Sequence, residues 1–135
     1  MDVREMNTRV PIVLRLFDQR LADKVGHLIG IELSVSTSKL AAPLFACAAL
    51  DKRVVGTHRL GEQLLVVIEV CPGTGSPLIG KTVGEISAAH CISVVGMMGD
   101  KGWELHPAPP RAIIAGQKLQ ILVPGSRLRE TVEWG

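Results

Sequence analysis

The chain has 135 residues, of which 47% are hydrophobic, 21% charged and 3% aromatic, and its formal net charge is +2. This length can bury one ordinary core or two small lobes, but it excludes a large multidomain enzyme. The small net charge excludes the basic surface of a nucleic-acid-binding protein, and the scarcity of aromatic residues excludes stacking platforms for bases.

The first half of the chain alternates predicted strands and helices. Val10 to Phe17 is an apolar run typical of a buried strand, and Asp18 is a good N-cap for a helix that stops near Gly30. Ile31 to Val35 predicts a second strand, and Leu40 to Ala49 predicts a second helix. This order is typical of a doubly wound α/β sheet. Because two strands cannot complete such a sheet, we expect the chain to be the carboxy-terminal portion of a longer protein that pairs with itself.

The residue pattern changes at Asp51 to Arg53, which predicts a domain boundary between about Asp51 and Arg59 and gives domains 1–58 and 59–135. The second domain is predicted to be an α+β lobe dominated by strands. Its predicted strands are Gln63 to Val70, Ile92 to Met98, Trp103 to His106 and Leu119 to Val123. Thr82 and Glu85 have the spacing of a capping box that opens a helix running to about His90. Ser126 is predicted to cap a final short helix that contains Leu128 and Val132.

The cysteines and histidines do not have metal-ligand spacing. Cys47, Cys71 and Cys91 lie far apart with no C-x-x-C pair, so we expect buried free thiols instead of disulfides or zinc ligands. The four histidines are scattered along the chain. The sequence therefore predicts no metal site.

The stretch from Gly75 to Thr82 allows two interpretations. It matches G-x-x-x-x-G-K-[ST], which would make the chain a nucleotide-hydrolysing enzyme. Such a loop works because consecutive backbone N–H groups converge on the phosphates, and Pro77 removes one of these donors. The sequence after the loop predicts a hairpin where that fold needs parallel strands. Since no acid/base pair or nucleophile setting is evident, we favour a non-catalytic binding or regulatory module and keep the hydrolase as the alternative.

Several stretches together resemble one known family. In the second half these are Leu65 to Val70, Ser76 to Ile86, Ile92 to Gly96, Pro107 to Pro110 and Ala115 to Val123. They are similar to the carboxy-terminal lobe of regulator of potassium conductance (RCK) domains, found in Trk-type potassium uptake subunits and ligand-gated potassium channels. Val13 to Asp18 and Leu40 to Phe45 look like the last two strand-helix units of the family's Rossmann-type lobe. The resemblance implies a partial Rossmann-type α/β unit followed by a small α+β lobe.

The resemblance also implies a function. Members of the family are cytoplasmic, ligand-sensing and non-catalytic, assemble as homodimers or larger rings, and regulate a membrane potassium channel or transporter. The family's G-x-G-x-x-G loop does not occur in this sequence, so an NAD or ATP site should be incomplete. Arg15 matches the strand arginine that reaches the nucleotide in relatives, with a structural salt bridge as the alternative role.

Some relatives bind a small effector in a cleft between two carboxy-terminal lobes. By that resemblance, the effector would be a cyclic dinucleotide or another small molecule, and a divalent cation is the second ligand class. The residues implied to line the cleft are Leu78, Ile79, His90 and Ile92. The alternative role for all four is packing in a dimer. No nucleic-acid partner is expected.

Overall fold

The computed structural model describes residues 13–18, 20, 21, 24 and 33–134. The chain divides into two compact units, Met1–Phe45 and Ala46–Gly135. The start of the first predicted strand and the predicted helix stop at Gly30 lie outside the described residues.

The first unit contains a parallel pair of strands, β1 (Val13–Leu16) and β2 (Leu33–Ser36). Between them, the described residues 20, 21 and 24 are helical. The Asp18 carboxylate accepts hydrogen bonds from the N–H groups of Arg20 at 2.8 Å and Leu21 at 3.3 Å, as an N-cap should. The predicted order of strand, helix and parallel strand is therefore confirmed.

Helix α1 (Thr37–Leu50) follows β2 directly and continues into the second unit. The side-chain oxygen of the buried Ser36 accepts a hydrogen bond from the Lys39 N–H at 3.3 Å, which caps the first turn. Pro43 lies inside the helix and cannot donate a backbone hydrogen bond. Only Cys47 is buried, although the helix is apolar after Lys39.

The second unit is a five-stranded antiparallel sheet with the strand order β3-β4-β7-β5-β6. Its strands are β3 (Val54–Leu60), β4 (Gln63–Val70), β5 (Ser93–Gly99), β6 (Gly102–Leu105) and β7 (Leu119–Pro124). The sequence predicted all of these except β3, which occupies a segment interpreted as a domain boundary. The predicted α+β character of this half of the chain is confirmed.

The core of the second unit lies on one face of this sheet. Alternate residues of β4 and β7 point into it, because successive side chains of a strand face opposite sides. The fully buried strand residues are Val66, Ile68, Val70, Met97, Leu119, Ile121 and Val123. Helix α2 (Val83–His90) and a carboxy-terminal 3-10 helix (Gly125–Trp134) contribute further buried side chains, among them Ile86 and Leu128. None of the helices that the structure describes is long and apolar enough to cross a membrane.

Candidate functional site

The Gly75 to Thr82 stretch ends as the cap of helix α2. The Thr82 side-chain oxygen accepts a hydrogen bond from the Glu85 N–H at 3.3 Å. In return, Glu85 Oε2 accepts bonds from the N–H and the hydroxyl of Thr82 at 2.7 Å and 2.9 Å. This is the predicted capping box. The bond from the Thr82 N–H stabilises the ionised carboxylate and lowers the pKa of Glu85.

The backbone N–H groups that a phosphate would need in this stretch already have partners within the chain. Within the stretch, the N–H of Leu78 donates to the Ser76 side chain, that of Ile79 to Ser76 O, that of Gly80 to Ile113 O and that of Lys81 to Leu78 O. Directly after it, the N–H of Val83 donates to Arg111 O and that of Gly84 to Pro109 O. Pro77 has no N–H, and the preceding strand β4 is antiparallel to both its neighbours. A phosphate loop instead needs free donors that converge on the anion. This conformation therefore cannot cradle a phosphate in that way.

The four residues implied to line an effector cleft include two buried and two accessible ones. Leu78 and Ile92 have 0% and 7% of their surface exposed, so they belong to the core of the second unit. Ile79 and His90 are half-buried. The His90 ring lies 5.2 Å from the Trp134 ring, at an interplanar angle of 61°, in an edge-to-face arrangement. Of these four residues, Ile79 and His90 are therefore the two that retain substantial solvent-accessible surface within a single chain.

Arg15 lies in the first unit, whereas the four predicted effector residues lie in the second. Its guanidinium carbon is 5.1 Å from the centroid of the exposed Phe17 ring, which is a cation–π contact. This contact with Phe17, just beyond the end of β1, gives Arg15 a local structural role that the sequence did not predict.

The three cysteines are free thiols, but only Cys47 is buried. The prediction of buried thiols was wrong for Cys71 and Cys91. Cys71 follows the buried Val70, so alternation at the end of β4 turns it outwards. Cys91 is the C-cap of α2 in the left-handed conformation, with φ of 50°, and this turn leaves it exposed. Within the described residues, no three His, Cys, Asp or Glu side chains are grouped to hold a metal ion.

The 3-10 helix has three residues per turn, so residues three positions apart share a face. The buried column consists of Leu128, Thr131 and Trp134, which are 6%, 1% and 4% exposed. A second column consists of Ser126, Arg129 and Val132. The predicted short helix contains both Leu128 and Val132, and in an α-helix these two residues, four positions apart, would share a face, but Val132 is 63% exposed. The 3-10 geometry separates these two residues.

Side chains distant in sequence hold the 3-10 helix in place. Arg53 Nη1 donates to Thr131 O at 2.8 Å, and Nη2 donates to Thr131 Oγ1 at 3.1 Å. The Ser76 hydroxyl donates to Trp134 O at 3.0 Å. The Asp51 carboxylate accepts from Nε and Nη2 of Arg53, and these bonds lower the pKa of Asp51.

A groove of about 700 Å³ lies between the end of α1, the start of β4 and the 3-10 helix. Its apolar lining includes Cys47, Leu50, Leu64, Leu128 and Val132, and Arg129 also borders it. Sequence reasoning missed this groove because its residues come from separate segments. The only local signal is the three-residue spacing of Ser126, Arg129 and Val132.

No family model matches the chain, and no curated protein matches it. Three solved structures illustrate what the chain is similar to. A GsuK channel bound to NAD is 16% identical, with a TM-score of 0.40 over 95% of this chain and 23% of that chain. BusR of S. agalactiae in complex with its busAB-promotor DNA is 15% identical, with a TM-score of 0.42 over 84% of this chain and 52% of that chain. The human SLO3 gating ring is 8% identical, with a TM-score of 0.33 over 90% of this chain and 27% of that chain.

The chain therefore spans about a quarter of the GsuK and SLO3 chains and about half of the BusR chain. All three similarities have TM-scores below 0.5. The architecture of each unit rests on its own strand pairings.

Proposed function

We propose that the chain is a non-catalytic, ligand-sensing regulatory domain of a potassium channel or potassium uptake system. The observation that carries this proposal is the conformation of Ser76 to Ile86. This stretch carries much of the RCK resemblance. It also contains most of the Gly75 to Thr82 pattern that would make the chain a nucleotide-hydrolysing enzyme. Its N–H groups are bonded within the fold and Thr82 caps α2, which supports the regulatory role over the hydrolase.

The domain acts as a homodimer or a larger ring in this proposal. Helix α1 supports self-association, because Lys39 is its only charged residue and Cys47 its only buried one. Leu40, Phe45 and Leu50 expose apolar surface. Burying such surface in an interface is favourable by roughly 25 cal/mol per Å². The partner of the assembly is a membrane potassium channel or transporter, and the domain itself lies on the cytoplasmic side.

We assign the effector site to Ile79 and His90, and Leu78 and Ile92 belong to the buried core of the same unit. The ligand is a cyclic dinucleotide or another small effector, and a divalent cation is the second class. A GsuK channel binds NAD, and Arg15 is the residue of this chain proposed to approach a nucleotide. The sequence lacks the glycine-rich loop of a complete dinucleotide site, so we expect NAD and ATP to bind weakly. The net charge of +2 supports a partner other than nucleic acid.

The test combines mass measurement by light scattering with thermal shifts against a cyclic dinucleotide, ATP, NAD and divalent cations. We expect a dimer that is stabilised by the cyclic dinucleotide or a cation and is indifferent to ATP. His90→Ala should abolish the shift, whereas His58→Ala, at an exposed position on β3, should leave it unchanged. A monomer stabilised by magnesium-ATP, with phosphate release that Lys81→Ala abolishes, would support the nucleotide-hydrolysing enzyme over the regulatory domain.

A further inference from the structure

The groove beside the 3-10 helix has the size and lining of a small-molecule site. Its volume of about 700 Å³ lies within the range of roughly 300–1,000 Å³ for ligand pockets. Leu50 and Val132 border it and are themselves exposed, so they leave apolar surface that a ligand would remove from water. Leu64 and the buried Leu128 extend this apolar lining.

The 3-10 helix, which forms one side of the groove, is held by hydrogen bonds to Thr131 and Trp134 of its buried column. Thr131 lies in the buried column, and its backbone oxygen and hydroxyl accept hydrogen bonds from Arg53. The Ser76 hydroxyl holds the end of the helix through Trp134 O. The column of Ser126, Arg129 and Val132 therefore has its orientation before any ligand binds, which lowers the entropic cost of binding.

The charges around the groove favour an anionic group at one end of the ligand. Asp51, Glu62 and Arg129 are the charged residues that line it. Asp51 pairs with Arg53 at 2.7 Å, and Glu62 pairs with Arg59 at 3.5 Å. Among the described residues, no carboxylate lies within ion-pair distance of Arg129. Arg129 is therefore the positive charge at the groove that no carboxylate of the described residues neutralises.

We propose that this groove binds a small amphipathic anion, with an apolar chain and a carboxylate at one end. The chain lies along Leu50, Leu64 and Val132, and the carboxylate pairs with the Arg129 guanidinium, whose planar N–H groups suit a carboxylate. The site is separate from Ile79 and His90, so this inference goes beyond the effector site proposed above.

The test uses three probes that share a ten-carbon chain, decanoate, decanol and decyltrimethylammonium, on the intact 135-residue chain. Binding is measured by calorimetry, and its location by amide chemical-shift changes. We expect decanoate to bind at least about tenfold more tightly than the cation, with shifts at the groove. Arg129→Glu should weaken decanoate binding about tenfold and leave decanol unchanged. Lys101→Glu is the matched charge reversal, in the exposed turn between β5 and β6, and should alter neither.

A second pair of variants tests the apolar wall. Val132→Ser should weaken all three probes about threefold or more, whereas Val55→Ser, at an exposed valine on β3, should weaken none. Both positions are exposed, so both variants are expected to fold.

Equal binding of the anionic and cationic probes would overturn the inference, as would an Arg129→Glu variant that binds decanoate like the unmodified chain. A third contrary outcome is that the two groove variants change the mass of the assembly and no probe binds, since a second copy would then fill the groove. A cyclic-dinucleotide response that depends on His90, without decanoate binding, would defeat this inference and leave the proposed function standing.

Discussion

The second unit contains two short helices that are held in place in opposite ways. Helix α2 has side-chain caps from its own sequence, because Thr82 and Glu85 bond to each other across three positions. The 3-10 helix depends on distant partners, since Arg53 and Thr131 are 78 positions apart and Ser76 and Trp134 are 58 apart. The side-chain bonds that cap α2 are therefore local, whereas the side-chain bonds that anchor the 3-10 helix come from distant segments.

The length of the 3-10 helix supports this distinction. Runs of more than three or four residues are uncommon because 3-10 hydrogen bonds have poorer geometry than α-helical ones, yet this helix spans Gly125–Trp134. Its three-residue repeat places Leu128, Thr131 and Trp134 in the interior together. Burial of that column and the bonds from Arg53 and Ser76 compensate for the weaker helix.

Leu128 and Val132 provide the largest expected effect and test the helix type directly. Leu128→Ala should lower the free energy of unfolding by about 3 kcal/mol, because it leaves a cavity in the core. Val132→Ala should change it by less than about 0.5 kcal/mol, because Val132 is exposed. Urea unfolding followed by circular dichroism measures both. Equal losses would indicate that the helix packs with α-helical spacing instead of the three-residue repeat.

Arg53→Ala should have the second-largest effect, about 2 kcal/mol, and should act on the 3-10 helix. The substitution removes two hydrogen bonds to Thr131 and leaves the largely buried Asp51 carboxylate without its cation. Amide hydrogen exchange in residues 125–134 should accelerate more than exchange in α2.

Arg59→Ala is the matched control for Arg53→Ala, because Arg59 lies on β3, the strand that Arg53 directly precedes, and its ion pair with Glu62 is exposed. Its effect should stay below about 0.5 kcal/mol. If Arg53→Ala accelerates exchange equally in α2 and in the 3-10 helix, the two helices do not differ in the way that we infer.

The elements that were predicted correctly are those whose own residues contain the full pattern of a strand or of a capped helix. β4 begins and ends at the predicted Gln63 and Val70, and α2 ends at the predicted His90. β3 was missed because only Val54 of its seven residues is buried, and Gly56, His58 and Arg59 give an edge strand no apolar alternation. It becomes a strand because β4 offers a partner, and this cannot be seen within the segment itself.

The candidate site was less predictable than the fold. The sequence correctly gave Thr82 and Glu85 a capping role, since both partners are three positions apart. It could not reveal that Leu78 and Ile92 are buried in the chain's own core, because apolar residues look alike whether they face a ligand or a core. The groove around Arg129 was missed because tertiary folding alone brings its segments together.

The smallest predicted effect is the pH dependence of the α2 cap, which is formed by residues close together in sequence. The Thr82 N–H lowers the pKa of Glu85 in the folded chain, so the carboxylate stabilises the fold when it is ionised. This contribution is complete above the ordinary glutamate pKa of about 4.3 and is lost as the pH falls through the lower folded value. Glu85→Gln keeps an acceptor for Thr82 but cannot ionise.

The difference in unfolding free energy between the unmodified chain and Glu85→Gln should therefore be constant at neutral pH and shrink in acid. Urea unfolding at a series of pH values from about 7 to about 3 measures it. The pKa of Asp51 is also lowered, by its hydrogen bonds with Arg53, but this carboxylate is common to both proteins and cancels in the difference. A difference that does not change with pH would mean that the bond to Thr82 does not distinguish the ionised from the neutral carboxyl, and that α2 also depends mainly on tertiary packing.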